Sequence, residues 1–485
     1  MKYESEENKF DVTTNLLNQK APVGKGPTFG KRHSQVIMLT FILICSFLMR
    51  TSLSVTIVAM TDPSASINKD IPTYNWTDKS LVVGSFLWGY CFPQMGAGFL
   101  ADQYGGKWFL VASTIITAVL GLFIPIAANH FGSLGVIILR CLQGIAQGFI
   151  FPSLHSVLGK WVPSPERNKL GTIVYSGQTA GIITCMLLSG CISSSRYGWP
   201  FVFYLLNGVS LVIAIIYVFW GSSNPNSHPS ISLDEKMYII TNLNTSLVKR
   251  KLQVPWKNIF TSLPFFALMI TNIAFSYTHW TMITETAIYL NKVMHFDLTS
   301  NSVFTSLPYI IELVSALIAA FIADYLLTKN FVTVTFIRKT ANNIGLIVAA
   351  VSLITLTRIG TDRAYLTVTL VVLVAALQGP SRIGYIVNHM DLAPNFSGIL
   401  MGFTNGSSVI ASAFAPIFAY IIIKDETNVE QWNIIFYFSA AINIIACVMN
   451  SIFTTSERQL WNAPIAKTKR TVTSNDIEEE AENIM

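Results

Sequence analysis

The feature that most constrains this sequence is a series of apolar stretches, each long enough to cross a lipid bilayer. A membrane-spanning helix needs about 20 consecutive apolar residues, and the sequence contains twelve stretches of suitable length. They cover residues 36–60, 80–101, 108–128, 132–157, 169–193, 199–221, 260–290, 302–327, 332–357, 364–387, 397–423 and 432–454. Charged residues make up only 12% of the chain, about half of what a soluble protein carries. The sequence therefore predicts an all-α membrane protein with twelve transmembrane helices.

The spacing of the spans divides the chain into two parts. The longest polar interval between spans covers residues 222–259 and leaves six spans on each side. Within it, residues 233–248 are compatible with a short interfacial helix. We expect an N-terminal tail (1–35), an N-terminal six-helix half (36–221), a central loop (222–259), a C-terminal six-helix half (260–455) and a C-terminal tail (456–485).

The distribution of Lys and Arg among the loops predicts the orientation of the chain. Basic residues are enriched in loops on the cytoplasmic side of a membrane. If both termini are cytoplasmic, 22 of the 32 Lys and Arg residues lie in cytoplasmic segments and seven lie in outer loops. Asn75, in the sequon of residues 75–77, then lies outside and is the expected glycosylation site. The sequons at Asn244, Asn395 and Asn405 do not lie in outer loops.

Several function classes find no support in the sequence. It contains no Walker loop, HExxH, GxSxG or paired CxxC motif, so we expect neither an enzyme nor an ATP-driven pump. We also expect no catalytic residue, metal site or cofactor. The net charge of +6 follows the membrane topology and does not indicate a nucleic-acid partner. The expected partners are the lipid bilayer and a small solute, and the protein is expected to be a monomer.

Charged residues inside the spans indicate where a solute could bind. Arg50 and Arg140 lie within the first and fourth spans, where a guanidinium without a counter-ion is costly. Its planar fork of donors suits a carboxylate or a phosphate. We therefore expect Arg140 to contact an anionic substrate and Arg50 to support it; snorkelling of Arg140 to the interface is the alternative. Arg382 could either snorkel or contact the ligand. The acids Glu285 and Glu312 could partner an arginine, bind sodium or carry a proton.

A loop motif recurs at equivalent positions in the two parts of the chain. After the second span the sequence reads GFLADQYGGK (98–107), and after the eighth it reads AFIADYLLTK (320–329). The aspartate and the final lysine have the same spacing in both, and Asp102 could accept hydrogen bonds from a neighbouring helix N-terminus. We expect these pairs and the charged turn after the fourth span to form a conformational gate. The expected gate residues are Asp102, Lys107, Asp324, Lys329, Glu166 and Arg167.

The repeated loop resembles the signature loop of the major facilitator superfamily. Further segments resemble one family within it, solute carrier family 17, which includes the sialin, vesicular glutamate and sodium–phosphate transporters. They are RTSLS (50–54), KWVPSPER (160–167) and NHMDLAPNFSGILMGFTNG (388–406), and the resemblance is strongest to the inorganic phosphate cotransporters. It covers residues 36–461 and implies the major facilitator fold, with a substrate cavity between two six-helix halves.

At several positions the sequence departs from the patterns of this family. Gln147 stands where proton-coupled members such as sialin have a glutamate, and Val83 stands where glutamate-carrying members have a histidine. Gln103 replaces the arginine that usually follows the loop aspartate. Span seven is shorter than in other members, and residues 258–291 contain no Lys or Arg.

The resemblance implies a secondary active transporter of small anions that works by alternating access and carries inorganic phosphate or an organic anion. Because Gln147 cannot titrate, we expect voltage or a sodium gradient to drive it more than a proton gradient. Two alternatives stay open: a sialin-like proton symporter of organic carboxylates, and a membrane sensor or scaffold that keeps the fold without cycling. The plasma membrane and an endolysosomal or vesicular membrane are both compatible with the sequence.

Overall fold

The computed structural model of the protein describes residues 27–61, 68–76, 78–243, 253–281, 289, 293, 302–359, 363–425 and 427–462. Within these ranges the chain is helical and contains no β-strand. The helices are α1 (Lys31–Thr61), α2 (Lys79–Cys91), α3 (Pro93–Tyr104), α4 (Gly106–Leu122), α5 (Ile124–Gln147), α6 (Ile150–Trp161), α7 (Arg167–Ser193), α8 (Gly198–Trp220), α9 (Leu233–Leu243), α10 (Trp256–Ile259), α11 (Leu263–Trp280), α12 (Ser302–Thr328), α13 (Val334–Leu356), α14 (Ala364–Leu392), α15 (Ser397–Ile422) and α16 (Val429–Phe453).

Many of these helices could lie in a membrane. In the part of the chain that the structure describes, nine helical segments are long and apolar enough to cross one. One of the nine, Ile124–Trp161, includes both α5 and α6, and the apolar helices Leu81–Cys91 and Gly106–Leu122 are shorter. The prediction of an all-helical membrane protein is confirmed at this level. The nine segments are fewer than the twelve predicted spans, because the spans expected at 80–101 and 108–128 are interrupted and part of the span expected at 260–290 lies outside the described residues.

Prolines and a glycine cause these interruptions. Pro93 begins α3 directly after Phe92, so the span expected at 80–101 is divided between α2 and α3. Pro125 lies in the first turn of α5. Proline has no N–H and clashes with a preceding helical turn, so it favours the start of a new helix. Within α5, Gly132 adopts a φ of 61° and separates residues of the third expected span from those of the fourth.

Helix packing follows the same pattern twice along the chain. In the N-terminal group (α1–α8), α1 packs against α7, α2 against α5 and α4 against α8. In the C-terminal group (α11–α16), α11 packs against α15, α12 against α14 and α13 against α16. The two groups meet where α7 packs against α12 and α3 against α15. Helices of both groups therefore surround a shared interior.

Glycines permit the closest helix approaches around this interior. A Cβ added at Gly144 of α5 would clash with the main-chain oxygen of Phe86 in α2, and one added at Gly98 of α3 would clash with the main-chain oxygen of Gly398 in α15. The first approach brings the helix that carries Arg140 against the helix that carries Phe86. The second joins the two helix groups.

Candidate functional site

A central cavity of about 310 Å3 lies between the two helix groups. Its walls come from α1, α2, α6 and α7 on one side and from α11, α12, α14 and α15 on the other. Aromatic and aliphatic side chains form much of the lining, which is typical of sites for organic ligands. The charged and larger polar residues among those lining it are Arg50, Tyr90, Gln178, Asn272, His279, Tyr309, Glu312, Gln378, Arg382, Tyr385 and Asn405.

Arg50 presents a cation to this cavity from the middle of α1. Its guanidinium carbon lies 4.5 Å from the ring centroid of Tyr90, 5.0 Å from that of Phe86 and 5.4 Å from that of Phe47. Aromatic faces attract a cation without neutralising it. Among the described residues, no carboxylate lies within salt-bridge distance of Arg50. The side chain is therefore positioned by the rings while its charge stays available to an anion.

Arg140 lies behind Arg50 and is not among the residues that line the cavity. It is 1% exposed, so it does not snorkel to the interface. Its Nη2 donates to the main-chain oxygen of Arg50 at 2.8 Å, and its Nη1 donates to Gln143 Oε1 at 3.2 Å and to the Met49 oxygen at 3.4 Å. The structure thus places the two arginines in the opposite order from the expectation: Arg50 faces the cavity, and Arg140 connects α5 to α1.

Arg382 and Glu312 form an ion pair on the opposite wall of the cavity. The Arg382 Nε donates to Glu312 Oε1 at 3.2 Å, and its Nη2 contacts the same oxygen. The other donors of Arg382 reach the N-terminal group, with Nη1 3.1 Å from the Tyr175 oxygen and Nη2 3.0 Å from Thr179 Oγ1. Arg382 is 6% exposed, so it neither snorkels nor lies free in the cavity.

Two amide groups in the cavity wall have unused donors. Asn272 is 3% exposed and Gln378 is 7% exposed, and among the described residues neither Asn272 Nδ2 nor Gln378 Nε2 has a hydrogen-bond partner. A buried donor without a partner costs roughly 1–3 kcal/mol. A bound molecule that brings acceptor oxygens would remove this cost. Glu285, the other acid expected near the site, lies outside the described residues.

At one end of the helix bundle, which we call the charged end, two aspartates join the helix groups in the same way. Asp102 Oδ2 accepts the main-chain N–H of Ile399 at 3.0 Å, and Asp324 Oδ2 accepts that of Lys169 at 2.9 Å. Ile399 and Lys169 are each the third residue of their helix, α15 and α7. A carboxylate is favourable at the positive N-terminal end of a helix. Each aspartate of the repeated loop therefore caps a helix of the opposite group.

The two lysines of the repeated loops do not form ion pairs with these aspartates. The Lys107 Nζ lies 4.9 Å from the ring centroid of its neighbour Trp108, and its main-chain N donates to Ser223 Oγ at 3.2 Å. Lys329 is exposed. Neither lysine has a carboxylate partner among the described residues.

Arg167 binds the C-terminal group, and sequence reasoning missed its partners. Its Nη1 lies 2.6 Å from Asp391 Oδ1 and 3.0 Å from the Met390 oxygen. Arg338 contacts the other oxygen of the same aspartate at 2.7 Å and also contacts Asn168 of α7. Charge pairs between spans so far apart in sequence leave no local spacing signal.

Glu166 pairs within a second cluster that sequence reasoning also missed. Its carboxylate lies 2.7 Å from Arg32 Nε, while Arg32 Nη1 lies 3.1 Å from Glu235 Oε1. Glu235 belongs to α9, within the segment where the sequence predicted an interfacial helix, and it also accepts the main-chain N–H of Lys31 at 2.8 Å. Burial and the nearby Glu166 carboxylate raise the pKa of Tyr238, on the same helix.

Between the charged end and the cavity, two histidines act as hydrogen-bonding groups. His155 Nε2 lies 3.0 Å from the Ile386 oxygen, and His389 Nδ1 lies 2.9 Å from the same oxygen. The remaining ring nitrogens face hydroxyls of Tyr175 and Thr404. Every ring nitrogen therefore has a partner, with the Ile386 oxygen shared by the two rings, which fits a structural role of two neutral imidazoles.

Comparison with known proteins agrees with this architecture. Residues 39–414 match the family model of the Major Facilitator Superfamily. A candidate inorganic phosphate cotransporter of Drosophila melanogaster is 33% identical over 461 residues, which cover 90% of this chain and 87% of that protein. Human sialin is 32% identical over 453 residues, covering 89% of this chain and 90% of sialin. Human vesicular glutamate transporter 2 is 29% identical over 460 residues, covering 92% of this chain and 78% of the transporter.

The family-model match, residues 39–414, extends over the cavity, the arginines and both repeated loops. The matches agree with the similarity of the sequence motifs to solute carrier family 17. The chain belongs to the major facilitator superfamily and, within it, to solute carrier family 17.

Proposed function

We propose that the protein is a secondary active transporter of small anions, and that Arg50 is the cation to which the anion binds. The observation that carries this proposal is a partly buried guanidinium that faces a central cavity and has no carboxylate partner among the described residues. The relatives named above include a candidate phosphate cotransporter and a glutamate transporter, and both of these names denote anionic solutes.

The substrate site contains two further kinds of group. Asn272 Nδ2 and Gln378 Nε2 are donors without an acceptor among the described residues. Aromatic residues such as Phe275 and Tyr309 provide apolar surface. This lining favours an organic anion, with inorganic phosphate as the second candidate. Arg140 supports the site by fixing the main chain at Arg50. It is a positioning residue in this proposal.

The transporter has twelve transmembrane helices in two six-helix halves, residues 36–221 and 260–455, with both termini in the cytoplasm. The repeated helix pairing and the two equivalent aspartate caps support two related halves. The excess of Lys and Arg on one side supports the orientation. The charged end is then cytoplasmic, and the structure corresponds to a conformation closed toward the cytoplasm.

Transport requires the contacts at the charged end to open. Asp102, Asp324 and the Arg167–Asp391 pair link the two helix groups there, so they act as the gate. Ions or voltage drive transport, and Glu312 and Glu285 are the candidate acids that couple transport to this driving force. The protein works as a monomer without a cofactor and has no enzymatic activity.

Anion uptake into proteoliposomes tests the central assignment. The probes are radiolabelled phosphate, glutamate and benzoate, supplied with separate sodium, proton and voltage gradients. We expect Arg50→Lys to lower uptake per reconstituted molecule by about tenfold or more, because lysine loses the planar fork and a charge-assisted hydrogen bond contributes about 1.5–3 kcal/mol. Arg358→Lys, at an exposed arginine outside the cavity, is the matched control. Normal uptake by Arg50→Gln would overturn the assignment.

A further inference from the structure

We propose that Glu312 sets the charge selectivity of the transporter: by neutralising Arg382, it makes the central cavity discriminate against doubly charged anions. This inference rests on the proposed function of the cavity as an anion site. It assigns Glu312 a role in substrate recognition that is separate from any role in coupling.

The two arginines of the cavity differ in how their charge is used. Arg50 has aromatic neighbours and no carboxylate among the described residues. Two nitrogens of Arg382 donate to Glu312 Oε1, and its other hydrogen bonds go to the Tyr175 oxygen and Thr179 Oγ1. Only the first is free to pair with a ligand while the Glu312 contact persists.

The charge count of the cavity follows from this difference. Arg50 and Arg382 contribute two positive charges and Glu312 contributes one negative charge, and the described lining holds no other Asp, Glu, Lys or Arg. With His279 neutral, the lining therefore carries a single net positive charge. Arg140 adds a more distant charge behind Arg50, where main-chain oxygens of Met49 and Arg50 face it.

Charge balance matters here because the cavity lies between apolar helices. A buried charge without a counter-charge costs several kcal/mol, so each unit of ligand charge must find a partner. A singly charged anion is matched by Arg50. A second negative charge would have to compete with Glu312 for Arg382, since Glu312 Oε1 already occupies two donors of that guanidinium.

Replacing Glu312 by Gln isolates this effect. Glutamine has nearly the same shape, and its carbonyl oxygen can still accept hydrogen bonds from Arg382, but the negative charge is removed. The lining charge then rises from one to two. Anions that carry two charges should gain affinity relative to anions that carry one. Glu312→Asp keeps the charge and should keep the selectivity of the unmodified protein.

The test measures binding with purified full-length protein, so it does not depend on the coupling mechanism. The probes are benzoate and phthalate at pH 7.5, which share an aromatic ring and carry one and two carboxylates. Binding is measured from the rise in melting temperature over a concentration series. We expect the unmodified protein to bind benzoate at least tenfold more tightly than phthalate. In Glu312→Gln the ratio should move at least tenfold toward phthalate, and Glu457→Gln, at an exposed acid outside the cavity, should leave it unchanged.

A charge-restoring double variant keeps the proposal testable if Glu312→Gln folds poorly. Glu312→Gln with Arg382→Gln removes the whole ion pair and returns the lining to a single positive charge, so the preference for benzoate should return. With clear benzoate binding, an unchanged ratio in Glu312→Gln, or a double variant that does not prefer benzoate, would overturn the selectivity role alone. If neither anion nor phosphate binds the unmodified protein, the proposed anion site itself is wrong.

Discussion

The guanidinium of Arg140 donates to the main-chain oxygen of Arg50 at 2.8 Å, so one membrane-buried arginine holds the backbone that carries the other. The same side chain also bonds to Gln143 on its own helix, while its Nε has no hydrogen-bond partner among the residues that the structure describes. Two like charges at this depth are costly. Their arrangement is explained if Arg50 must point into the cavity at a fixed angle.

The first prediction concerns this positioning role. Arg140→Lys can still donate to the Arg50 oxygen, whereas Arg140→Gln loses the charge and reaches less far. We expect Arg140→Gln to raise the KM for anion uptake about tenfold with a smaller change in kcat, and Arg140→Lys to recover part of the loss. Initial-rate uptake over a range of anion concentrations, normalised to transporter content, measures both constants. A loss confined to kcat would contradict a positioning role in binding.

The second prediction concerns an unused donor in the cavity. Gln378→Leu removes a buried Nε2 that has no hydrogen-bond partner in the part of the chain that the structure describes. Removing an unsatisfied donor is neutral or stabilising for the fold. The melting temperature without ligand should therefore stay the same or rise, while anion affinity falls about fivefold or more because the ligand loses a hydrogen bond.

Gln178→Leu is the control, because Gln178 is partly buried and also lines the cavity. It shows the effect on affinity of removing a polar side chain from the lining. If Gln378→Leu lowered the melting temperature and left affinity intact, the amide would be a structural group with no role in the ligand site.

The sequence alone predicted features that depend on residues close together in the chain, but not features that depend on how distant helices pack. The repeated loop indicated that Asp102 and Asp324 are equivalent, because they share local spacing with their neighbours, but it did not show which helix each aspartate caps. The two membrane arginines were visible as charges in apolar runs. The sequence did not show which of the two arginines faces the cavity, because that depends on how α1 and α5 are rotated and packed in the bundle.

The ion pairs between helices could not be predicted from the sequence for the same reason. Asp391 accepts from Arg167 and Arg338, and Glu312 pairs with Arg382, but the partners lie on different helices far apart in the chain. A single sequence shows that each residue is charged and near a span. It does not show which opposite charge the fold brings within 3 Å.

The third prediction concerns glycosylation. Asn75 is exposed in the segment between α1 and α2, and in the proposed orientation this segment lies outside the cytoplasm. Asn75→Gln should remove the whole N-glycan mobility shift seen after glycosidase treatment of protein expressed in animal cells. Asn395→Gln should have no effect on the shift, because that side chain bonds to Asn462 at the charged end. A glycan that persisted in Asn75→Gln would place another sequon outside and reverse the orientation.

The fourth prediction concerns the driving force. Gln147 cannot titrate, and its amide exchanges hydrogen bonds with Ser46 of α1, with Nε2 3.1 Å from the Ser46 oxygen. We expect uptake to respond to voltage or to sodium more than to a proton gradient. Strong uptake driven by a pH gradient alone, with voltage clamped and sodium absent, would show that another acid carries protons. In that case Glu312→Gln is the first variant to examine.

The last prediction concerns the gate at the charged end. Asp102 and Asp324 each place a carboxylate at the N-terminal end of a helix from the opposite group, a contact of about 0.3–2 kcal/mol. Asparagine keeps an acceptor oxygen and loses the charge. Asp102→Asn and Asp324→Asn should therefore each weaken the closed charged end, and the double variant should weaken it by the sum of the two, because the caps lie on different helices.

Cysteine labelling can measure this opening. In a background without the native cysteines, a cysteine at Ile386, which lines the cavity, reports access to the cavity from the cytoplasmic side. We expect labelling to rise severalfold in each single variant and further in the double variant. Asp70→Asn, at an exposed residue of the segment before α2, should not change it. If labelling from the opposite side rose instead, the charged end would be extracellular, and the proposed direction of closure would have to be reversed.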